Sequence, residues 1–211
     1  ADLIFTVSRD LLKLFPAHKN IHFIPNGVRA FDSVFFKAQS EPNKKANDLI
    51  HVGYVGVIQD RIDENILDEL ISHANFRVTM FGPVWKNFPL DKYREHPFIT
   101  FPNKTVPHDQ LPEILKDMDV MIIPHKINAF TRSMNPMKLY DYLACGKPVV
   151  TTPIDDLGDL ARFVSIAATP QEFPRLIEQA AQTNSQEQQV ERIQAIQAHS
   201  WKQKVDQMLN L

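Results

Sequence analysis

Glycine is scarce in this chain of 211 residues, with six in all, and the scarcity excludes the usual phosphate cradles. GYVGVI at 53–58 offers two glycines three apart, so the G-x-G-x-x-G fingerprint of dinucleotide cofactors is missing. There is no P-loop and no G-x-S-x-G nucleophile elbow. Cysteine is scarcer still. Cys145 stands alone, which excludes an internal disulfide, and its place beside Leu143 and Ala144 reads as a buried, inert thiol in a reducing, cytoplasmic setting. No apolar run reaches the roughly 20 residues that span a bilayer, and no signal-peptide pattern opens the chain. No His, Cys, Asp or Glu set has metal-ligand spacing. Excess charge is absent as well: a net charge of −2 removes any general case for nucleic acid.

What is present is alternation. IHVGYVG near 51–56, a helical pattern at 63–74, FRVTMFG at 76–82, FITF at 98–101 and a helix at 109–117 come first. DVMIIP at 119–124, a helix at 136–145, PVVTTP at 148–153, a helical turn at 156–162 and FVSIAA at 163–168 follow. Strand and helix in repeated succession predict an α/β fold, a Rossmann-like doubly wound parallel sheet, over residues 48–182. The first 47 residues differ: LIFTVS, a short helix at 9–15 and IHFIP form a strand-helix-strand remnant that needs a sheet to join. VFFKAQSEPNKKAND then reads as a polar connector. Because Ala1-Asp2 leads into LIFTVS without a methionine, the chain is expected to begin inside a longer protein. The glutamine-rich stretch 184–198 is polar on most sides, which predicts a surface helix or one packed on something outside the chain.

The densest signal is NPMKLYDYLACGKPVV, residues 135–150. Asn135 suits an N-cap, Pro136 the first helical position, Gly146 the close, and Pro148 prevents continuation. Met137, Tyr140, Leu143 and Ala144 form an apolar stripe, while Lys138 and Asp141 share a more polar face. Free amides, the positive end of the helix dipole and a lysine suit a phosphate, and the carboxylate one turn deeper suits a sugar hydroxyl. A plain surface Lys–Asp pair is the competing reading. In a doubly wound sheet ligands bind beyond the carboxyl ends of the strands, where strand order reverses. That rule selects GVIQDRID at 56–63 and the long loop HKINAFTRSMNP at 125–136, so Arg61, Lys126, Arg132 and Lys138 are expected to converge on a diphosphate. His125 reads as a structural strand end, and His51 and His108 carry less weight.

LPEILKDMDVMIIPH followed by PMKLYDYLACGKPVVTT resembles the donor-binding domain of GT-B glycosyltransferases, of the retaining, family 4-like group. ADLIFTVSRDLL and IPNGV at 24–28 resemble the passage from acceptor to donor domain, and HSWKQKVDQML resembles the C-terminal helix that crosses back. The resemblance implies three regions: a remnant and connector at 1–47, a donor-binding domain at 48–182, and crossing helices at 183–211. Retaining relatives carry two glutamates eight positions apart, where this chain has Ser133 and Asp141; relatives also carry an arginine and a lysine where Val57 and Ile62 stand. Ser133 in that place resembles a divergent subgroup associated with bacterial surface polysaccharides. Base selection is expected from the loops Gly82-Pro83-Val84 and Lys104-Thr105-Val106. The implied nucleotide-sugar site is therefore Gly56, Val57, Arg61, Gly82, Lys104, Val106, Arg132, Ser133, Asn135, Pro136, Lys138 and Asp141.

The implied activity is sugar transfer from a UDP-, GDP- or other nucleotide diphosphate sugar, with no cofactor and no required metal. The acceptor, a glycan or lipid-linked glycan, and any catalytic base belong to the N-terminal domain outside this chain. A place at the inner face of the cell membrane, with peripheral association of the full-length protein, is left open. So are two alternatives, a non-catalytic scaffold subunit of the same fold and a nucleotide-sugar epimerase.

Overall fold

A computed structural model describes residues 1–29, 49–154 and 157–211 of the chain. Its first residues form β1 (Ile4–Thr6), α1 (Arg9–Leu12) and β2 (Ile21–Phe23), with Ser8 capping α1 through its hydroxyl. These two strands pair in parallel with one another and do not enter the main sheet, so the remnant supplies its own partner. The expected connector lies, from residue 30 onward, outside the described residues.

The main sheet takes β3 (Ile50–Val55), β4 (Phe76–Phe81), β5 (Ile99–Thr100), β6 (Val120–Ile123), β7 (Val149–Thr151) and β8 (Val164–Ile166). Every pair is parallel and the spatial order is β5-β4-β3-β6-β7-β8, so the order reverses between β3 and β6. Two apolar layers follow from the period-2 alternation of strands. Val52, Tyr54, Val78, Met80, Val120 and Ile122 face one layer, under α2 (Glu64–Ser72) and α6 (Glu172–Thr183). Met121, Ile123 and Val149 face the other, with Leu139 and Leu143 of α5 (Met137–Ala144). Ile66, Leu67 and Leu70 of α2 are fully buried, each contributing about 1.5–3 kcal/mol.

Three shorter features complete the crossovers. α3 (Leu111–Leu115) follows a 3-10 turn at His108–Gln110, and α4 (Ala129–Arg132) lies inside the long loop after β6. Gly158–Phe163 forms the expected helical turn as a 3-10 segment, residues 155–156 lying outside the described part. One expectation holds here and another is corrected. The glutamine-rich helix, α7 (Gln186–Gln197), is a surface helix, the first of its two expected readings: Gln186, Glu187, Gln188, Glu191, Gln194 and Gln197 are exposed, while Gln189, Arg192, Ile193 and Ile196 are buried on the side that packs on α5. Two of its polar residues thus turn inward: Arg192 Nε donates to Gly146 O at 2.8 Å, capping the end of α5, and its guanidinium also donates to Asn184 Oδ1. Met137, assigned to the apolar stripe, is 57% exposed, because the buried face of α5 runs through Leu139, Tyr140, Tyr142, Leu143 and Ala144.

α8 (Trp201–Leu209) ends the chain, with Ser200 as its cap. Its start is stitched to the incoming segment: Val28 N donates to His199 O and Trp201 N donates to Val28 O, both at 2.9 Å. Among the described residues no helix is long and apolar enough to cross a membrane.

Candidate functional site

The reversal between β3 and β6 leaves a gap at the carboxyl ends of the strands, and the loops there are laced together. Gly56 N donates to Phe81 O at 2.9 Å, Ile58 N to Pro83 O at 3.0 Å and Trp85 N to Ile58 O at 2.9 Å. Val84 N donates to the Asn103 side chain at 2.9 Å, which brings in the loop after β5; Asn103 itself has φ 50°, a left-handed value that asparagine tolerates. On the other side Asp63 N donates to Pro124 O and Lys126 N to Arg61 O, both at 2.8 Å. The two loops selected by the switch-point rule are thus joined.

Into this frame α5 brings Lys138. Its Nζ lies 4.5 Å from the Tyr54 ring centroid and donates to Tyr54 Oη at 3.1 Å, and that phenol in turn donates to Val57 O at 3.0 Å. Gly56 makes room: a Cβ there would stand 3.0 Å from Lys138 Nζ. Burial is the main cause that pushes the Lys138 ammonium down to about 7, with the Arg61 charge adding and Asp141 opposing. His125 is fully buried and neither ring nitrogen is bonded among the described residues, and burial, then Lys138 and Arg61, hold it down to about 3. It is therefore a neutral imidazole at physiological pH. With the Gln59 amide turned so that its oxygen faces the guanidinium, Arg61 donates to it from Nε at 2.7 Å and Nη2 at 2.5 Å. Three nitrogen-bearing groups share one electrostatic neighbourhood with little negative charge to balance them.

Asp141 does not pair with Lys138. Its Oδ1 takes His108 Nε2 at 3.0 Å, so the plain Lys–Asp surface pair is not what forms. Burial raises the Asp141 carboxyl above its ordinary range, opposed by the His108 hydrogen bond and charge, Lys138 and Arg29.

The start of α5 corrects the expected cap. Pro136, with ψ 120°, occupies the cap position and the helix begins at Met137 with no side chain capping it. The Asn135 side chain is taken elsewhere: its Oδ1 accepts from Asn26 N at 2.9 Å and from Tyr140 Oη at 3.0 Å, while Asn26 Nδ2 donates to Asn135 O at 2.6 Å. Gly146, at φ +70°, closes the helix as expected. Cys145 is buried with its thiol pushed up to about 12, in keeping with an inert residue.

Arg61 and Lys138 are brought together, with Gly56 and Val57 beside them. Gly82 lies directly against Gly56, its absent Cβ falling 2.1 Å from Gly56 O. Lys104 is exposed and Val106 half-buried in the loop after β5. Arg132 is exposed at the end of α4, and Ser133 turns its hydroxyl back to Phe130 O at 2.9 Å, so the structure does not bring either to Lys138 by a hydrogen bond. Sequence reasoning missed Tyr54 and the orphaned state of His125, and gave little weight to His108, which holds Asp141. Tyr54 had a usable signal, lying between the two glycines of GYVG at the reversal.

Tyr142 fastens α5 to the same strand end. Its Oη accepts from Val55 N at 2.8 Å and donates to Val55 O at 3.3 Å. Tyr142→Phe takes the partner from those part-buried backbone groups, and a loss of about 1–3 kcal/mol is expected in urea unfolding. A loss below about 0.5 kcal/mol would show that water or another group takes over.

Residues 60–210 match the profile of the glycosyl transferase-like family. The chain belongs to that family. TuaH of Bacillus subtilis (strain 168), named as a teichuronic acid biosynthesis glycosyltransferase, is 26% identical to this glycosyl transferase-like chain over 158 residues. The match covers 71% of this chain and 38% of that protein, so the chain spans well under half of its relative. Among solved structures, sucrose-phosphate synthase from Thermosynechococcus elongatus superposes with TM-score 0.72 at 15% identity, covering 100% of this chain and 57% of that one. The lipopolysaccharide outer core galactosyltransferase WaaB gives 0.70 at 14%, covering 100% and 61%. Anabaena HepE, solved in complex with UDP and glucose, gives 0.68 at 15%, covering 100% and 62%. These likenesses establish the fold, a Rossmann-like sheet of the GT-B class.

Proposed function

We propose that this chain is the donor-binding part of a glycosyltransferase and that its site holds a nucleotide diphosphate sugar at the β3–β6 reversal. One observation carries the reading: Lys138 and Arg61 share one neighbourhood beside the uncapped start of α5, with the Asp141 carboxylate one turn along. The diphosphate takes Lys138, Arg61 and the first amides of α5; the ribose hydroxyls take Asp141; the base lies against the loops at 82–84 and 104–106. As the sugar leaves, charge grows on the diphosphate, and these fixed cations and amides stabilise it without a metal ion. Val57 and Ile62 hold the positions where relatives carry cations, and Lys138 and Arg61 make good that loss.

The names of the relatives favour bacterial surface polysaccharide synthesis. An acceptor glycan, lipid-linked and met at the inner face of the cell membrane, would be bound by parts of the protein outside this chain. The donor-binding unit on this reading runs from β3 through α7, because α7 packs on α5.

Calorimetry of the chain with UDP-glucose, GDP-mannose and ADP-glucose tests the proposal. Saturable one-to-one binding of one of them is expected, without sugar transfer by the chain alone. Failure of all three to bind would overturn it.

A further inference from the structure

Lys138 is placed oddly for a phosphate ligand. Among the described residues, the hydrogen-bond partner of its Nζ is a phenol oxygen already committed as a donor to Val57 O, and no carboxylate lies within ion-pair distance. The groups that face it come from four elements: Tyr54 from β3, Arg61 from the loop after β3, His125 from the end of β6, and Asp141 from α5 itself, the last held by His108. Arg61 repels an ammonium ion at this place. Asp141 attracts it, but shares its charge with His108. The ring face and oxygen of Tyr54 are electron-rich but uncharged, so they favour the ammonium ion less strongly than a carboxylate would.

We propose that Tyr54 is a positioning residue for the diphosphate and that nucleotide-sugar binding is proton-coupled: above neutral pH Lys138 rests on Tyr54 largely as an amine and meets the phosphate oxygens as an ammonium ion, taking one proton from solvent. This rests on the donor-site reading above. The bookkeeping is a single protonation, with the amine lone pair accepting the proton and no bond to the ligand made or broken. With Lys138 depressed to about 7, both forms are populated near neutral pH. Two adjacent phosphate charges favour the cation and return its pKa toward the ordinary lysine range. The sign follows: below pH 6 the proton is already bound and affinity is flat, whereas above pH 8 each binding event must draw one from solvent, and affinity falls about tenfold per pH unit.

The test uses whichever of UDP-glucose, GDP-mannose and ADP-glucose binds, because their diphosphates keep a fixed charge from pH 6 to 8.5. Calorimetry in buffers of different ionisation enthalpy should show about 0.9 proton taken up per ligand at pH 8 and about 0.1 at pH 6. Lys138→Arg keeps a cation that does not titrate, and should bind with pH-flat affinity and no uptake. Tyr54→Phe keeps the ring and removes the oxygen that accepts from Nζ, so the midpoint of the pH profile should move to lower pH. The 13Cε resonance of Lys138 supplies a reading independent of any variant: it should titrate near pH 7 in the free protein and not below pH 9 with ligand. Tight binding without uptake, or equal uptake in Lys138→Arg, would overturn the proton coupling. An unmoved midpoint in Tyr54→Phe would overturn the role of Tyr54. Absence of binding by every probe would overturn the donor-site reading instead.

Discussion

Gly82→Ala is expected to be the most destabilising single-methyl change at this site, costing about 3–5 kcal/mol. The methyl group would stand 2.1 Å from Gly56 O and 2.8 Å from Gly56 C, so backbone would have to move rather than a flexible side-chain tip. Gly82 also has φ +136°, a conformation that an L-residue adopts only under strain. Relief by shifting residue 56 is blocked, since Gly56 sits at φ +144° under Lys138 and is bonded to Phe81 O. Gly158→Ala is the matched control: φ is +54° there, but among the described residues a Cβ meets nothing within 4 Å, so about 1–2 kcal/mol is expected. In a domain of this size, calorimetric melting should drop by about 10 °C for Gly82→Ala and a few degrees for the control. Equal drops would mean that the loops at the reversal are looser than their hydrogen bonds imply.

Lys138→Ala and Asp141→Ala should separate the phosphate end of the ligand from its sugar end. Lys138→Ala is expected to weaken a nucleoside diphosphate by about 1–3 kcal/mol, roughly 5- to 150-fold, through one lost charge-assisted contact. The bare nucleoside, which lacks the phosphates, should bind nearly as before. Asp141→Ala should weaken both ligands alike, because the ribose is common to them. Stability readings need care in only one of the two, since removing Asp141 also releases His108 from its 3.0 Å bond, whereas removing Lys138 leaves Tyr54 bonded to Val57 O. Titration of UDP and uridine against wild type and both variants decides the matter. If affinities are equal across all three proteins, α5 is an ordinary helix and the donor site lies elsewhere.

The features that were legible in the sequence are those whose cause is local. Six apolar runs, including the unbroken VMII of β6, announced a parallel sheet, and their order placed the reversal between the first and fourth of its strands. The competition for Asn135 could not be read the same way. Its preference as a cap is intrinsic, but the side chain went to Asn26, 109 residues earlier. The contact of Lys138 with Tyr54 spans 84 residues and depends on Gly56 having no side chain. Likewise the polarity of α7 suggested solvent, yet Arg192 is buried because the carbonyl of Gly146 needed a donor. A helix end 46 positions away decided that residue's place. The convergence of Arg61 with Lys138 followed from the switch-point rule, whereas Ser133 and Arg132 turned with the short helix α4 that the loop folded into.

Cys145 makes this chain its own stopwatch. The single thiol is sealed where α5 ends and α7 crosses it, and burial keeps it from ionising. A thiol reagent therefore reacts only through openings that expose this place, and no second cysteine confuses the signal. Slower labelling on adding a nucleotide would be a direct reading of how firmly an occupied site holds the far end of the same helix.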